Sequence, residues 1–298
     1  MAETLDPDAM DARERAALET LLKRLGDDEF VLAERYTEWQ VRAPTLESDL
    51  ALSNNAQDEL GHARLWYDVL EDVGLEEREL VYERDPTDFR HSTLVELPFR
   101  EGEWADAVVR SYLYDTAEAL RLEALSDSSY PKIADRVGKI QREEEYHREH
   151  AQNWLERLAE GEEGHEHLQD ALDRLFPHAL TVFEPVNPSV EDDIVDLELR
   201  TATLEEMGEE WLSIVVPFLE SLDLVVPVAQ EDRGDGATEQ DDSSDDGAPF
   251  EVTEEMLPDE RGRDGTHTDA WFDLHDELTH TYRELERSET TKIMEKPD

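Results

Sequence analysis

Gln57-Asp58-Glu59-Leu60-Gly61-His62 and Glu143-Glu144-Glu145-Tyr146-His147 each place a histidine three residues after a glutamate. Residues three apart share a helix face, so each stretch can present one carboxylate and one imidazole to a common centre. A single Glu-x-x-His in a chain with 79 acidic residues reads as a solvated helix face. Two of them carry more weight if each lies on a helix whose antiparallel neighbour supplies a further acid, because a two-metal bundle site is built that way.

The surrounding periodicity supplies those helices. Phe30, Ala33, Tyr36, Thr37 and Val41 fall at helical spacing over Asp27 to Arg42, and Pro44 stops that helix. Thr45 restarts a second, which runs to about Val73 with Gly74 closing it. A crossover without clear periodicity covers Leu75 to Gly102. A third helix follows from about Trp104 to Ser126, and after the turn at Asp127 to Pro131 a fourth extends to about Ala159. Two helical hairpins joined by one long connection predict an all-α, ferritin-like antiparallel four-helix bundle. Further helices are expected over His165 to Leu180, Leu204 to Leu222 and Asp269 to Glu286. The expected organisation is an N-terminal helical extension over 1–26, the bundle over 27–228, an acidic disordered insertion over 229–260 and a C-terminal helix and tail over 261–298.

Height along the bundle selects the remaining ligands, at roughly 1.5 Å per residue from each turn. Asp115 lies about 20 Å before the Ser128 turn and Glu144 about 20 Å after Pro131, so the two meet at one level. Glu34 lies about 15 Å before Pro44 and Glu59 roughly 20 Å beyond Thr45, whereas Glu38 misses by twice as much and serves as a fallback. The expected metal ligands are therefore Glu34, Glu59, His62, Asp115, Glu144 and His147. Asp58 and Glu143 precede the motif glutamates and lie four residues before His62 and His147, on the same helix face. Either these acids orient the imidazoles or they are plain surface acids. His91, His150, His165, His167 and His178 lack matching partners and are expected to be structural or exposed.

Composition narrows the chemistry. The 298 residues include no cysteine, which leaves oxygen and imidazole as ligands and favours two iron ions, with manganese as the other choice. The formal charge of -51, with 23 Arg but only 5 Lys among the basic residues, argues against binding nucleic acid or anionic membranes. Such self-repulsion is relieved in molar salt, where the Debye length falls to about 3 Å, and a high-salt cytoplasm is the expected setting. The apolar run from Trp211 to Leu219 is too short to span a bilayer and contains Pro217.

Arg42-Ala43-Pro44-Thr45-Leu46, the stretch Gln57 to His62, Tyr114-Asp115, Glu143 to His147 and Asn153-Trp154-Leu155-Glu156-Arg157-Leu158 together resemble the multicomponent phenylacetyl-CoA epoxidase family. The likeness reappears at Gly265-Thr266-His267-Thr268. This resemblance implies a hetero-oligomer that acts on phenylacetyl-CoA. Its parts would be a catalytic di-iron protein of A type, a related C-type partner that serves as scaffold, and a flavin and iron–sulfur reductase. Chain length and the Trp-Leu-Glu-Arg-Leu stretch resemble the C-type partner. The family's C-type members are substituted where Glu34, Glu59, His62 and Glu144 stand here, so the resemblance leaves two expectations. The chain is either a scaffold for the catalytic partner or itself the oxygenase.

Overall fold

The computed structural model describes residues 9–99, 104–185, 187–230 and 250–284. Helix α1 (Ala12–Trp39) starts fifteen residues before the Asp27 expected from periodicity. Its true start is set by Asp11, whose carboxylate accepts from the Arg13 and Glu14 amides at 2.8 and 2.9 Å while Glu14 reaches back to the Asp11 amide. Helix α2 (Leu46–Leu70) is capped by the Thr45 hydroxyl, which accepts from the Ser48 amide. These two helices form the first hairpin and approach closely at Gly26, where a Cβ would lie 2.6 Å from the Tyr67 ring.

The crossover holds short helical turns at Glu71–Val73, Glu79–Glu83 and Pro86–Asp88, then the one-turn α3 (Thr93–Glu96). The second hairpin is α4 (Trp104–Leu125) and α5 (Pro131–Ala159), the latter opening on Pro131, whose missing N–H costs nothing in the first turn. Helices α6 (Glu162–Ala179) and α8 (Leu204–Ser221) pack on α4, and α7 (Pro188–Asp196), which periodicity does not announce, packs on α1. Helix α9 (Asp269–Glu284) closes the described chain.

One apolar core joins both hairpins, with Leu22, Val31, Trp66, Leu113, Ile140, Leu155 and Trp211 all essentially buried. Apart from the two-residue ladder of β1 (Ala229–Gln230) and β2 (Phe250–Glu251), the described fold is helical. Residues 231–249, the heart of the expected acidic insertion, lie outside the described residues. No helix among the described residues is long and apolar enough to cross a membrane.

Candidate metal centre

Helices α2 and α5 run antiparallel, so each Glu-x-x-His pair faces the other inverted. The Glu59 carboxylate lies between the two imidazoles, 3.8 Å from His62 Nδ1 by one oxygen and 3.6 Å from His147 Nδ1 by the other. Glu144 Oε1 lies 3.3 Å from His62 Nδ1 and 3.4 Å from His147 Nδ1. Both nitrogens that face inward are thus Nδ1, and both glutamates stand between them. All four side chains are buried.

Helix α1 contributes Glu29, whose Oε2 is 3.6 Å from His62 Nδ1. Glu29, Glu59, His62 and Glu144 form one buried group whose potential ligand atoms converge within 4.8 Å. Glu34 is not part of it. Five residues beyond Glu29, it sits about 140° further round the helix and is half-buried near Glu38 and Glu277 of α9, where burial and those two acids raise its pKa. The height rule still holds, since Glu29 lies roughly 22 Å before Pro44 and Glu59 roughly 21 Å beyond Thr45. A helix start at Asp27 is what misleads, because it makes Asp27-Asp28-Glu29 resemble an N-terminal turn.

Helix α4 supplies Asp115, adjacent to Glu144 and His147, with one oxygen bonded to Ser111 Oγ at 2.6 Å and the other without a partner. Glu118, one turn further on, is also fully buried beside Glu29 and Glu144 and is ion-paired to Arg121. It escapes the sequence reading, although it lies three residues from Asp115 on the same inward face.

The electrostatics point to what this site is built to hold. Burial first, and then Glu59, raise Glu29 well above the carboxylate range; burial and Glu144 do the same to Asp115. Burial would raise Glu144 as well, but the close imidazoles of His147 and His62 outweigh it and bring that carboxyl down to about 2. Burial lowers the two histidines, yet the surrounding carboxylates more than reverse this and raise both above the ordinary imidazole value. The oxygens of Glu29, Glu59 and Glu144, Asp115 Oδ1 and both inward Nδ1 atoms have no hydrogen-bond partner. Buried polar groups left this way are costly. A bound multivalent cation would hold the acids as carboxylates and engage their orphaned atoms, so the donor set fits metal bound by oxygen and imidazole.

The outward nitrogens are occupied. His62 Nε2 donates to Glu143 at 2.9 Å and His147 Nε2 to Asp58 at 3.3 Å. Each acid therefore serves the histidine of the other helix, not the one four residues along its own. The antiparallel pairing explains the exchange, because it brings Glu143 level with His62 and Asp58 level with His147.

A second buried group joins His91, Glu96 and His267. Here Glu96 accepts from His91 Nε2, His267 Nδ1 and the Thr268 amide, each at 2.7 Å, so the carboxylate is satisfied without an ion. This group fastens the segment before α9 to the crossover. Gly262, at φ 71°, allows the close approach, because a Cβ there would strike the His91 carbonyl.

The model of the family described as "Phenylacetic acid catabolic protein" matches residues 1–289. The chain belongs to that family. Among curated relatives, it is 31% identical over 218 residues to the C-type component of the 1,2-phenylacetyl-CoA epoxidase of Escherichia coli (strain K12), covering 72% of this chain and 85% of that protein. It is 29% identical over 192 residues to the A-type component of the same enzyme, covering 63% of this chain and 62% of that protein. The ferritin-like bundle and the buried carboxylate–histidine cluster accord with that membership.

Proposed function

We propose that this chain is the C-type component of a phenylacetyl-CoA epoxidase complex, a scaffold for the catalytic A-type component that has kept a centre able to hold two iron ions. Coverage of 85% of the C-type relative against 62% of the A-type one supports the C-type role. The residues that would hold the ions are Glu29, Glu59, His62, Asp115, Glu144 and His147. Manganese would suit the same donors. When bound, iron would supply the reductive activation of dioxygen that an epoxidation requires, with electrons from a reductase.

The chain's own residues do the rest. Glu143 and Asp58 hold the Nε2 protons of His62 and His147, which fixes each tautomer with its Nδ1 lone pair inward. Ser111 holds Asp115 by one oxygen and leaves the other free. Burial of all six side chains keeps bulk water out.

In the second reading this chain is itself the oxygenase, and turnover of the assembled complex separates the two. The deciding experiment combines the chain with its A-type partner and a reductase and measures epoxidation of phenylacetyl-CoA. Glu144→Ala should remove the iron of this chain while turnover persists. Loss of turnover with assembly and helicity retained would transfer the chemistry to this chain.

A further inference from the structure

Helix α5 departs from the rest of the molecule in its charge. In a chain of net charge -51, it carries six basic residues (Lys132, Arg136, Lys139, Arg142, Arg148, Arg157) and six acidic ones, of which Glu144 is buried. The signs are also segregated. Before Glu143 the helix has four bases and only Asp135, and from Glu143 onward five acids with Arg148 and Arg157.

Laid antiparallel on a copy of itself about Tyr146, the outward face is self-complementary. Asp135 comes opposite Arg157, so two of the three residues that break the segregation meet each other. Lys132 comes opposite Glu160, and Arg142 falls within one residue of Glu149. Tyr146, 53% exposed, stands on the axis. Gly138 on α5 and Gly61 on α2 have nothing within 4 Å of where a Cβ would lie. A glycine inside a helix costs about 1 kcal/mol relative to alanine, and no packing within the described chain explains either one. On α2, Leu46 and Leu50 are 70% and 57% exposed. Leu50 also opens a run without a charge that reaches Gln57.

We infer that the α2–α5 face is a two-fold interface between copies of this chain, with α5 packed antiparallel on its symmetry mate across Tyr146. A two-fold contact must be complementary to itself, and the reversed charge order of α5 meets that condition. The two glycines allow the helices to approach, Tyr146 and the α2 leucines supply apolar area, and the charges fix the register. The interface would cover Asp58 and Glu143, the partly exposed outer partners of the two histidines.

The test is the mass of the full-length chain by light scattering in molar salt, with helicity and iron content read on the same samples. Wild type should have twice the chain mass. Asp135→Arg should shift it to the monomer with helicity unchanged, and so should Arg157→Asp, since each sets like charges opposite one another twice. Combining both substitutions should restore the dimer. A monomeric wild type, a dimer indifferent to Asp135→Arg, or failure of the combined variant to re-associate while still helical would overturn the interface. Iron content is independent of these results, so the interface can fail without the metal centre failing.

Discussion

Two groups of buried ionisable side chains sit side by side on α1 and are built on opposite principles. Asp27 accepts from Tyr67 Oη at 2.7 Å, from Arg84 at 2.6 and 3.0 Å and from the Arg90 amide at 2.7 Å. Asp28 accepts from the Ser92 amide at 2.7 Å, from Arg263 at 2.8 and 3.0 Å and from Arg121. Glu29, the next residue, accepts nothing. Asp28 and Glu29 are equally buried, yet Arg263 and Arg121 overcome burial at Asp28 and lower its pKa, whereas burial and Glu59 raise that of Glu29. The difference teaches how to separate structure from function in a buried polar network. Where every lone pair is used, the group holds elements together; where lone pairs converge unused, the fold is shaped for a ligand.

The sharpest way to break this comparison is to remove one acid from each side. Asp28→Ala would leave Arg121 and Arg263 buried without their shared anion, and loss of one partner from a buried ion pair costs about 3–5 kcal/mol. Glu29→Ala should leave the metal-free protein as stable as wild type or more so, because it removes a carboxyl that repels Glu59. Denaturant titration of metal-free protein in molar salt checks both. A Glu29→Ala variant as unstable as Asp28→Ala would erase the distinction.

A somewhat smaller effect is expected from pH. Burial raises Glu96, but its hydrogen bonds from His267 and His91 lower it further, to about 2, and burial and the neighbouring His267 lower His91 to about 4. A depressed histidine stays neutral in the fold while the unfolded chain gains a proton, so stability should fall as pH drops from about 6.5 towards 4. A depressed carboxyl contributes stability above its unfolded pKa of about 4.5 that is lost as pH falls through 2. Each contribution is of order 3 kcal/mol. His91→Phe should reduce the upper step, to which His178, itself lowered by burial to about 4, also contributes, and thermal melts between pH 7 and 4 would resolve the difference.

Much of this is legible in the sequence because periodicity and spacing are local properties. The limits of α4 and α5, the two Glu-x-x-His pairs and Asp115 all follow from helical repeat and turn residues. Glu29 is hidden for a local reason, the false helix start at Asp27, and the capping pair Asp11 and Glu14 is the signal that corrects it. The exchange of Asp58 and Glu143 between histidines is different in kind. It depends on how α2 and α5 align in space, and no spacing within either helix encodes that. The partners of His91 lie in the crossover and just before α9, so its role is a property of the tertiary fold.

Asp58 and Glu143 also provide a more modest test of the metal centre. Loss of an acid that orients a metal-binding histidine typically costs 10–100-fold in affinity, about 1.4–2.7 kcal/mol. Glu143→Gln should weaken the ion held through His62, and Asp58→Asn the one held through His147, seen as two-stage iron uptake where wild type shows one. Glu34→Gln, directed at the acid that periodicity favours, should leave uptake unchanged. Equal losses in Glu34→Gln and Glu143→Gln would mean that half-buried acids act on the centre through the general field of the protein.

The smallest effect is expected where the sequence is most acidic. Ala229 pairs with Glu251 and Gln230 with Phe250 in an antiparallel ladder, so the two residues that flank 231–249 are neighbours. Closing a loop costs free energy only as the logarithm of its length, about 0.6 kcal/mol for each doubling. Replacing residues 231–249 with Asn-Gly, a pair suited to a two-residue hairpin turn, should therefore change stability by about 1–2 kcal/mol at most, in the stabilising direction. Eight acids and one arginine leave with the segment, so the shortened chain should also tolerate lower salt before it unfolds. Circular dichroism against salt concentration measures that shift, and iron uptake should stay at the wild-type level. A shortened chain that unfolds at higher salt than wild type would show that the segment contributes contacts to the fold.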